Sequence, residues 1–278
     1  MSNPMFIKPS RPLTWLITGC SSGLGLALTR EVQRHGHTVI ATSRQPSRTP
    51  NLVSEVEANG GEWHALDVDD LSAAGNLVDK LEASGHNIDV LVNNAGYILF
   101  GAVEQISDEE RRQMMETIYF GPSRLIQALV PRMRGRRFGI IVNISSGAAL
   151  DGRDSMGGYA AAKAALDVWL GTFNTNIDNA SLIAKAPLPE DYKGSVAEQM
   201  MNVMKSGKFV GDGDTDKAAR AIFDVTVSEG ASTGHGDERF LPMGRDMIPR
   251  VSLVRDQCAH ALDVFAEIAG NVYVEQGK

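Results

Sequence analysis

Short apolar, β-branched runs alternate along this chain with longer segments whose apolar positions recur at helical spacing. "TWLIT" (14–18) reads as a strand, and "GLALTREVQRHG" follows with Leu26, Leu28 and Val32 leaning to one face. Further strand-like runs are "HTVIATS" (37–43), "EWHALDV" (62–68), "IDVLVNN" (88–94) and "FGIIVNIS" (138–145). Helical patterns lie between them, among them 71–83 and a long one over 107–134. Strands joined by helix-length crossovers predict an α/β fold with a doubly wound parallel sheet covered on both faces. The stretch 178–215 departs from this rhythm. It carries Pro187, Pro189 and the helix-like "VAEQMMNVMKSG", and reads as a lid-like insertion in a single unit spanning 1–278.

Composition narrows the partners. With 278 residues, 43% of them hydrophobic, the chain can bury a sizeable core. Its 27 basic and 34 acidic residues give a net charge of −7. That balance argues against a nucleic-acid partner, whose binding rests on phosphate neutralisation. The basic cluster "RMRGRRFG" (132–139) fits a solvated helix end, with an anion site as the other reading. Two cysteines make no disulfide framework and suit a reducing compartment; Cys20 reads as a small filler in a turn. The opening "MSNPMFIKPSRP" lacks the apolar core of a signal peptide, and no run reaches the roughly 18 apolar residues of a membrane span. A soluble, cytoplasmic protein is expected, with no membrane partner. Among six scattered histidines only His35 and His37 lie close, without a third ligand nearby, so no metal site is expected.

The first strand runs into "TGCSSGLG", with Gly19, Gly23 and Gly25, and then into a helix. Glycines allow a tight turn and close backbone approach, and a helix start offers free N–H groups to a pyrophosphate. The fold is therefore expected to be a Rossmann-like dinucleotide-binding domain. The second strand ends "ATSRQ": Ser43 stands where an acid would hold an NAD ribose, and Arg44 follows. A hydroxyl beside a guanidinium suits a 2′-phosphate, which predicts NADP(H); a merely exposed arginine is the other reading.

Candidate chemistry lies further on. Tyr159 and Lys163 are four apart in "YAAAK" and so share a helix face. A nearby ammonium favours a phenolate, and so brings a phenol with an ordinary pKa of about 10 toward useful acid–base work. Ser146 ends the fifth strand in "NISS", on the edge where open sheets bind ligands.

"TGCSSGLG", "NNAG" (93–96), "NISS" (143–146) and "YAAAK" (159–163), in this order and spacing, resemble the short-chain dehydrogenase/reductase family. The dense part of the resemblance covers 14 to about 170, and "LGTFNTNI" and "GDTDKAARAI" echo it later. It implies that Tyr159 donates a proton to a carbonyl oxygen as hydride arrives, that Lys163 assists it and binds the nicotinamide ribose, and that Ser146 (Ser145 as the alternative) holds that oxygen. It further implies cofactor contacts from Thr18, Gly19, Ser21, Ser22, Gly23 and Gly25 in the turn. Ser43 and Arg44, Asp67 and Val68 beside the adenine, and Asn93, Ala95 and Gly96 follow, with Tyr159, Lys163 and Thr172.

Two departures stand out. Ile118 occupies the place where similar proteins carry an asparagine that anchors a water, and isoleucine cannot hydrogen-bond one. Only residues 160–170 separate Tyr159 from Gly171, where the resemblance implies a Pro-Gly turn after a sixth strand, and Leu170 stands where proline is usual. That length holds a helix and leaves no room for a further strand, given usual element lengths of about 11 and 5 residues. The sixth strand is thus expected to be missing or replaced, by the last strand near "RFLPM" (239–243) or by "SLIAKA" (181–186). A shortened helix also puts a homo-oligomer in question.

Met200, Met201 and Met204 could line a pocket for a lipophilic carbonyl or alcohol, or could be core. The leading expectation is an NADPH-dependent oxidoreductase acting on a small carbonyl or alcohol. The competing readings are a catalytically weak or inactive dinucleotide-binding protein, and a truncated gene product.

Overall fold

A computed structural model describes residues 10–152, 154–169, 173–175, 181–183, 190, 193–206, 213–233, 235, 238 and 240–270. In chain order the elements are β1 (Thr14–Ile17), α1 (Gly23–Arg34), β2 (Thr38–Ser43), α2 (Pro50–Ala58), β3 (Glu62–Ala65), α3 (Ala73–Ala83), β4 (Val90–Asn93) and β5 (Ile98–Phe100). They continue with α4 (Asp108–Met115), a π-helical turn at Glu116–Phe120, α5 (Gly121–Arg136), β6 (Ile140–Ser145), α6 (Ala148–Asp151) and α7 (Gly157–Trp169). The last are β7 (Phe173–Thr175), β8 (Ser181–Ile183), α8 (Val196–Lys205), α9 (Thr215–Val227), β9 (Leu241–Met243) and α10 (Met247–Gly270).

The main sheet has the order β3-β2-β1-β4-β6-β7-β9, and its strand pairs are parallel. The order reverses between β1 and β4, which opens a crevice at the strands' carboxyl ends. Alternation along the strands feeds two cores. Trp15 and Ile17 of β1 join Leu28 and Val32 of α1 and Phe223 of α9 on one face. Leu16 points to the other face, among Leu77 and Leu81 of α3 and Leu125 and Leu129 of α5. Both sets are buried, as a sheet covered on two sides requires. A third cluster holds Leu99, Ile106, Met114, Ile118, Tyr159 and Ala162.

The expected helix over 107–134 divides. Ser107 and Glu110 form a reciprocal capping box that starts α4. The π turn then interrupts the α-helical repeat before α5, and Ile118 sits within it. The sixth strand position is filled: β7 pairs with β6 through Ile144 and Phe173, and with β9 through residues 173–175. The replacement is a strand of three residues, begun only after α7 has ended, so it needs less chain than a strand of ordinary length. Neither expected substitute occupies that place. The last strand, β9, lies beyond β7 and not on the fifth strand of the sequence reading, now β6. Residues 181–183 form β8, which pairs with β5 in a separate two-stranded sheet. Gly171 and Thr172 lie outside the described residues, as do parts of 178–215.

Candidate active site

The glycine turn begins where β1 ends. Gly19 has φ +72°, a conformation that favours glycine. Gly25 faces it one helical turn on. A Cβ there would collide with the Gly19 carbonyl and lie 2.5 Å from Asn94 Nδ2. Asn94 fastens the arrangement by donating to the carbonyls of Thr18 (2.8 Å) and Gly19 (3.2 Å). Thr18 Oγ1 in turn accepts the N–H groups of Asn94 and Ala95, both at 3.0 Å. Two strand ends are thus bolted together under the crevice.

Gly19, Ser21, Ser22 and Gly23 line a cleft along this turn. Ser43, Arg44 and Val68 line it on one side, and Ala95 and Gly96 on the other. Ser22, at the N-cap of α1, makes no capping hydrogen bond, and the first turn holds no acidic side chain. A helix start in that state leaves its backbone donors and positive dipole end available to an anion. These features fit a dinucleotide pyrophosphate. Ser43 Oγ accepts a hydrogen bond from Trp63 Nε1 at 3.0 Å, which leaves the serine hydrogen free to donate. Arg44 is exposed on the rim and makes no ion pair or hydrogen bond among the described residues.

Other expected contacts sit differently. Asp67 is exposed and its carboxylate accepts the Asp69 N–H at 3.1 Å, while its neighbours Leu66 and Val68 face the cleft. Asn93 Nδ2 donates to Asn143 Oδ1 at 2.8 Å, joining β4 to β6 under the site. Gly25 and Thr18 support the turn from below. Leu24, Thr42, Leu66 and Asn94 line the cleft without having been singled out in the sequence. Asn94 lay within "NNAG", but only the fold shows which of its two amides turns toward the glycines.

Ser146, Tyr159 and Lys163 are all buried. Ser146 follows β6 directly, and its Oγ accepts the Ala148 N–H at 3.3 Å. Ser145 is fully buried, with its hydroxyl unpaired among the described residues. Lys163 Nζ lies 5.9 Å from the Tyr159 ring centroid and donates to the Ile144 carbonyl at 2.5 Å. It also lies 3.9 Å from where a Cβ on Gly96 would stand, and Ile118 approaches that same point at 3.8 Å. Burial pushes the Lys163 ammonium from an ordinary 10.5 down to about 8, against the opposing charge of Asp167. Tyr159 shares the apolar cluster of Leu99, Met114 and Ile118. Ile118 therefore packs, and it does so beside Gly96, next to the lysine.

The remaining sequence features resolve as structure. Arg132 pairs with Asp79, and Arg136 with Glu82 at 2.9 Å, so the basic cluster ties α5 to α3. Cys20 is buried, its thiol pushed up to about 11 by desolvation, which makes it inert filler. Met201 is buried, whereas Met200 and Met204 are partly exposed. Among the described residues no helix is long and apolar enough to cross a membrane, and no cluster of side chains could hold a metal.

The short chain dehydrogenase family model matches residues 14–207. Oxidoreductase claN of Passalora fulva is 43% identical over 155 residues, which cover 55% of this chain and 70% of that protein. A fatty acyl-CoA reductase of Acinetobacter baylyi is 31% identical over 211 residues, covering 74% and 70%. The chain spans about half (47%) of the length of uncharacterized mycobacterial oxidoreductases that are 35% identical to it. A short-chain dehydrogenase from Streptomyces avermitilis superposes with a TM-score of 0.81 at 28% identity, over 95% of this chain and 100% of that one. Glycine turn, parallel sheet and matched sequence agree: the chain belongs to the short-chain dehydrogenase/reductase family and is an oxidoreductase of that family.

Proposed function

We propose that this chain is an NADPH-dependent oxidoreductase that interconverts a small lipophilic carbonyl compound and its alcohol. The observation that carries the reading is the position of Lys163, one ammonium set between cleft-lining Gly96 and the ring of Tyr159. When bound, the dinucleotide supplies or accepts the hydride. Tyr159 gives its phenolic proton to the carbonyl oxygen in reduction and takes it back in oxidation. Ser146, fixed at the end of β6, donates a hydrogen bond to that oxygen. Lys163 places positive charge beside the phenol and binds the nicotinamide ribose. Desolvation of these three buried groups strengthens each interaction among them.

The preference for NADPH rests on Ser43 and Arg44. The Trp63 indole N–H is accepted by the serine oxygen, which leaves the hydroxyl hydrogen free to donate, and the neighbouring guanidinium is exposed, with no hydrogen bond or ion pair among the described residues. Both suit a 2′-phosphate. Within 178–215, the stretch read as a lid, the described strand β8 pairs with β5, whose Leu99 belongs to the cluster that holds Tyr159. The lipophilic substrate class is supported by that apolar cluster and by the likeness to the Acinetobacter fatty acyl-CoA reductase. Two free cysteines fit a reducing, cytoplasmic setting. A second reading, a catalytically weak dinucleotide binder, is favoured by Ile118 beside Lys163.

Binding and turnover separate these readings. NADPH should bind about tenfold or more tightly than NADH, as one charge-assisted contact implies, and Arg44→Ala should remove most of that ratio. Equal affinities would refute the cofactor assignment. NADPH oxidation with decanal as probe should be saturable; saturable NADPH binding without turnover across an aldehyde and ketone panel would favour the binder.

A further inference from the structure

We propose that Arg250, on the C-terminal helix α10, is a positioning residue for Ser146. This rests on the reading that Ser146 holds the carbonyl oxygen. Arg250 lies 104 positions from that serine in sequence and is 7% exposed. Its Nη2 donates to the Gly147 carbonyl at 2.5 Å, on the residue that immediately follows Ser146. The same guanidinium grips Asp151 at the end of α6, with Nε 2.9 Å from Oδ2 and Nη2 on Oδ1. Nη1 donates to Asp246 Oδ2 at 3.2 Å, which orients the fork from the residue just before α10.

Gly147 has no room for a side chain: a Cβ there would meet Arg250 Nη1 and stand 3.0 Å from Met247 Sδ. The segment 146–151 is thus held at both ends by one planar, permanently charged group. Within it, Ser146 accepts two local N–H groups, that of Ala148 on Oγ (3.3 Å) and that of Ala149 on its carbonyl (3.0 Å). Movement of Gly147 would rotate the serine hydroxyl directly. A fork that satisfies a buried carbonyl and a carboxylate together sets the angle of this turn, and a misplacement of about 1 Å at a reacting group costs up to about 100-fold in rate. The C-terminal helix thereby belongs to the active-site framework, although none of its described side chains lines the cleft.

The test uses the full chain with Arg250→Ala, Arg250→Lys, Asp151→Asn, Ser146→Ala and the Arg250→Ala/Ser146→Ala double variant. Amide hydrogen exchange in the protein without cofactor reads the turn independently of activity. Arg250→Ala should speed exchange at Ala148 and Ala149 by about tenfold or more, and Arg250→Lys should fall between it and the native chain. With NADPH and decanal, Arg250→Ala should lower kcat by about 10- to 100-fold while the NADPH Kd stays unchanged. In the Ser146→Ala background the same substitution should add almost nothing. Unchanged exchange at those two amides, or an equal loss of kcat in both backgrounds, would overturn the proposal. If Arg250→Ala does not fold, Arg250→Lys and Asp151→Asn carry the same two readouts. A Ser146→Ala enzyme of native rate would instead refute the role given to the serine, with the exchange data still judging the clamp.

Discussion

At the level of single residues, the site depends on where one ammonium is held. Lys163 is buried against the Ile144 carbonyl, near both Gly96 and the Tyr159 ring. The tyrosine–lysine spacing was legible because a helical face is a local property of sequence. The braces of the glycine turn and of Ser43 were not: Asn94 and Trp63 act across strands that only the sheet brings together. Ile118 is the residue at odds with the rest. It fills an apolar cluster and closes over the side of Gly96 nearest the lysine. Ile118→Asn would put an amide beside Gly96, which Lys163 also approaches, at the expense of apolar packing. It should raise kcat while lowering thermal stability by about 1–3 kcal/mol. An unchanged kcat would show that the isoleucine does not hinder proton movement.

Among the elements, the main-sheet strands up to β6 follow the sequence pattern within a few residues, because buried parallel strands read as continuous apolar runs, whereas β5 of the two-stranded sheet was not foreseen. The glycine turn was equally legible, and its chemistry sets a further expectation. A methyl at position 25 would strike the Gly19 carbonyl and crowd the Asn94 amide that braces it. Gly25→Ala should therefore destabilise the fold by about 1–3 kcal/mol and weaken NADPH binding; a variant with native melting temperature and affinity would show that the turn can relax. Beyond α7 the pattern carried less. Element lengths left no room for a strand before Gly171, and none lies between α7 and that residue's position; the three-residue strand at 173–175 that joins β6 to β9 was not foreseen. So short a strand has no periodicity to read, and its pairing is fixed by neighbours distant in sequence. The π turn at Glu116–Phe120 was hidden for the same reason, since one inserted residue barely disturbs a helical pattern. The long α10, whose first turn reaches the segment after Ser146, carried no signal of that role.

For the whole molecule, burying a lysine has a consequence for stability that pH exposes. Lys163 has an ordinary pKa of 10.5, and burial lowers it to about 8 in the folded chain. Between those values the unfolded chain holds more protons than the folded one, so the contribution of this group to stability rises with pH across that window. Below about 8 the cost of the buried charge is present in full. Denaturant unfolding of the cofactor-free protein at pH 7.5 and pH 10, compared with Lys163→Met, should show a rise in the native chain that the variant lacks. Equal pH dependence in the two would mean that Lys163 is not desolvated as described. Lys163 lies 5.9 Å from the Tyr159 ring centroid and Ser146 directly follows β6 at the carboxyl edge of the sheet; the proposal to be tested is that the tyrosine is the proton donor there. Its most direct test is Tyr159→Phe, assayed for NADPH Kd and for decanal reduction in one preparation. Native NADPH affinity with kcat reduced by at least about 100-fold is expected; a phenylalanine enzyme that turns over at the native rate would contradict the role given to Tyr159.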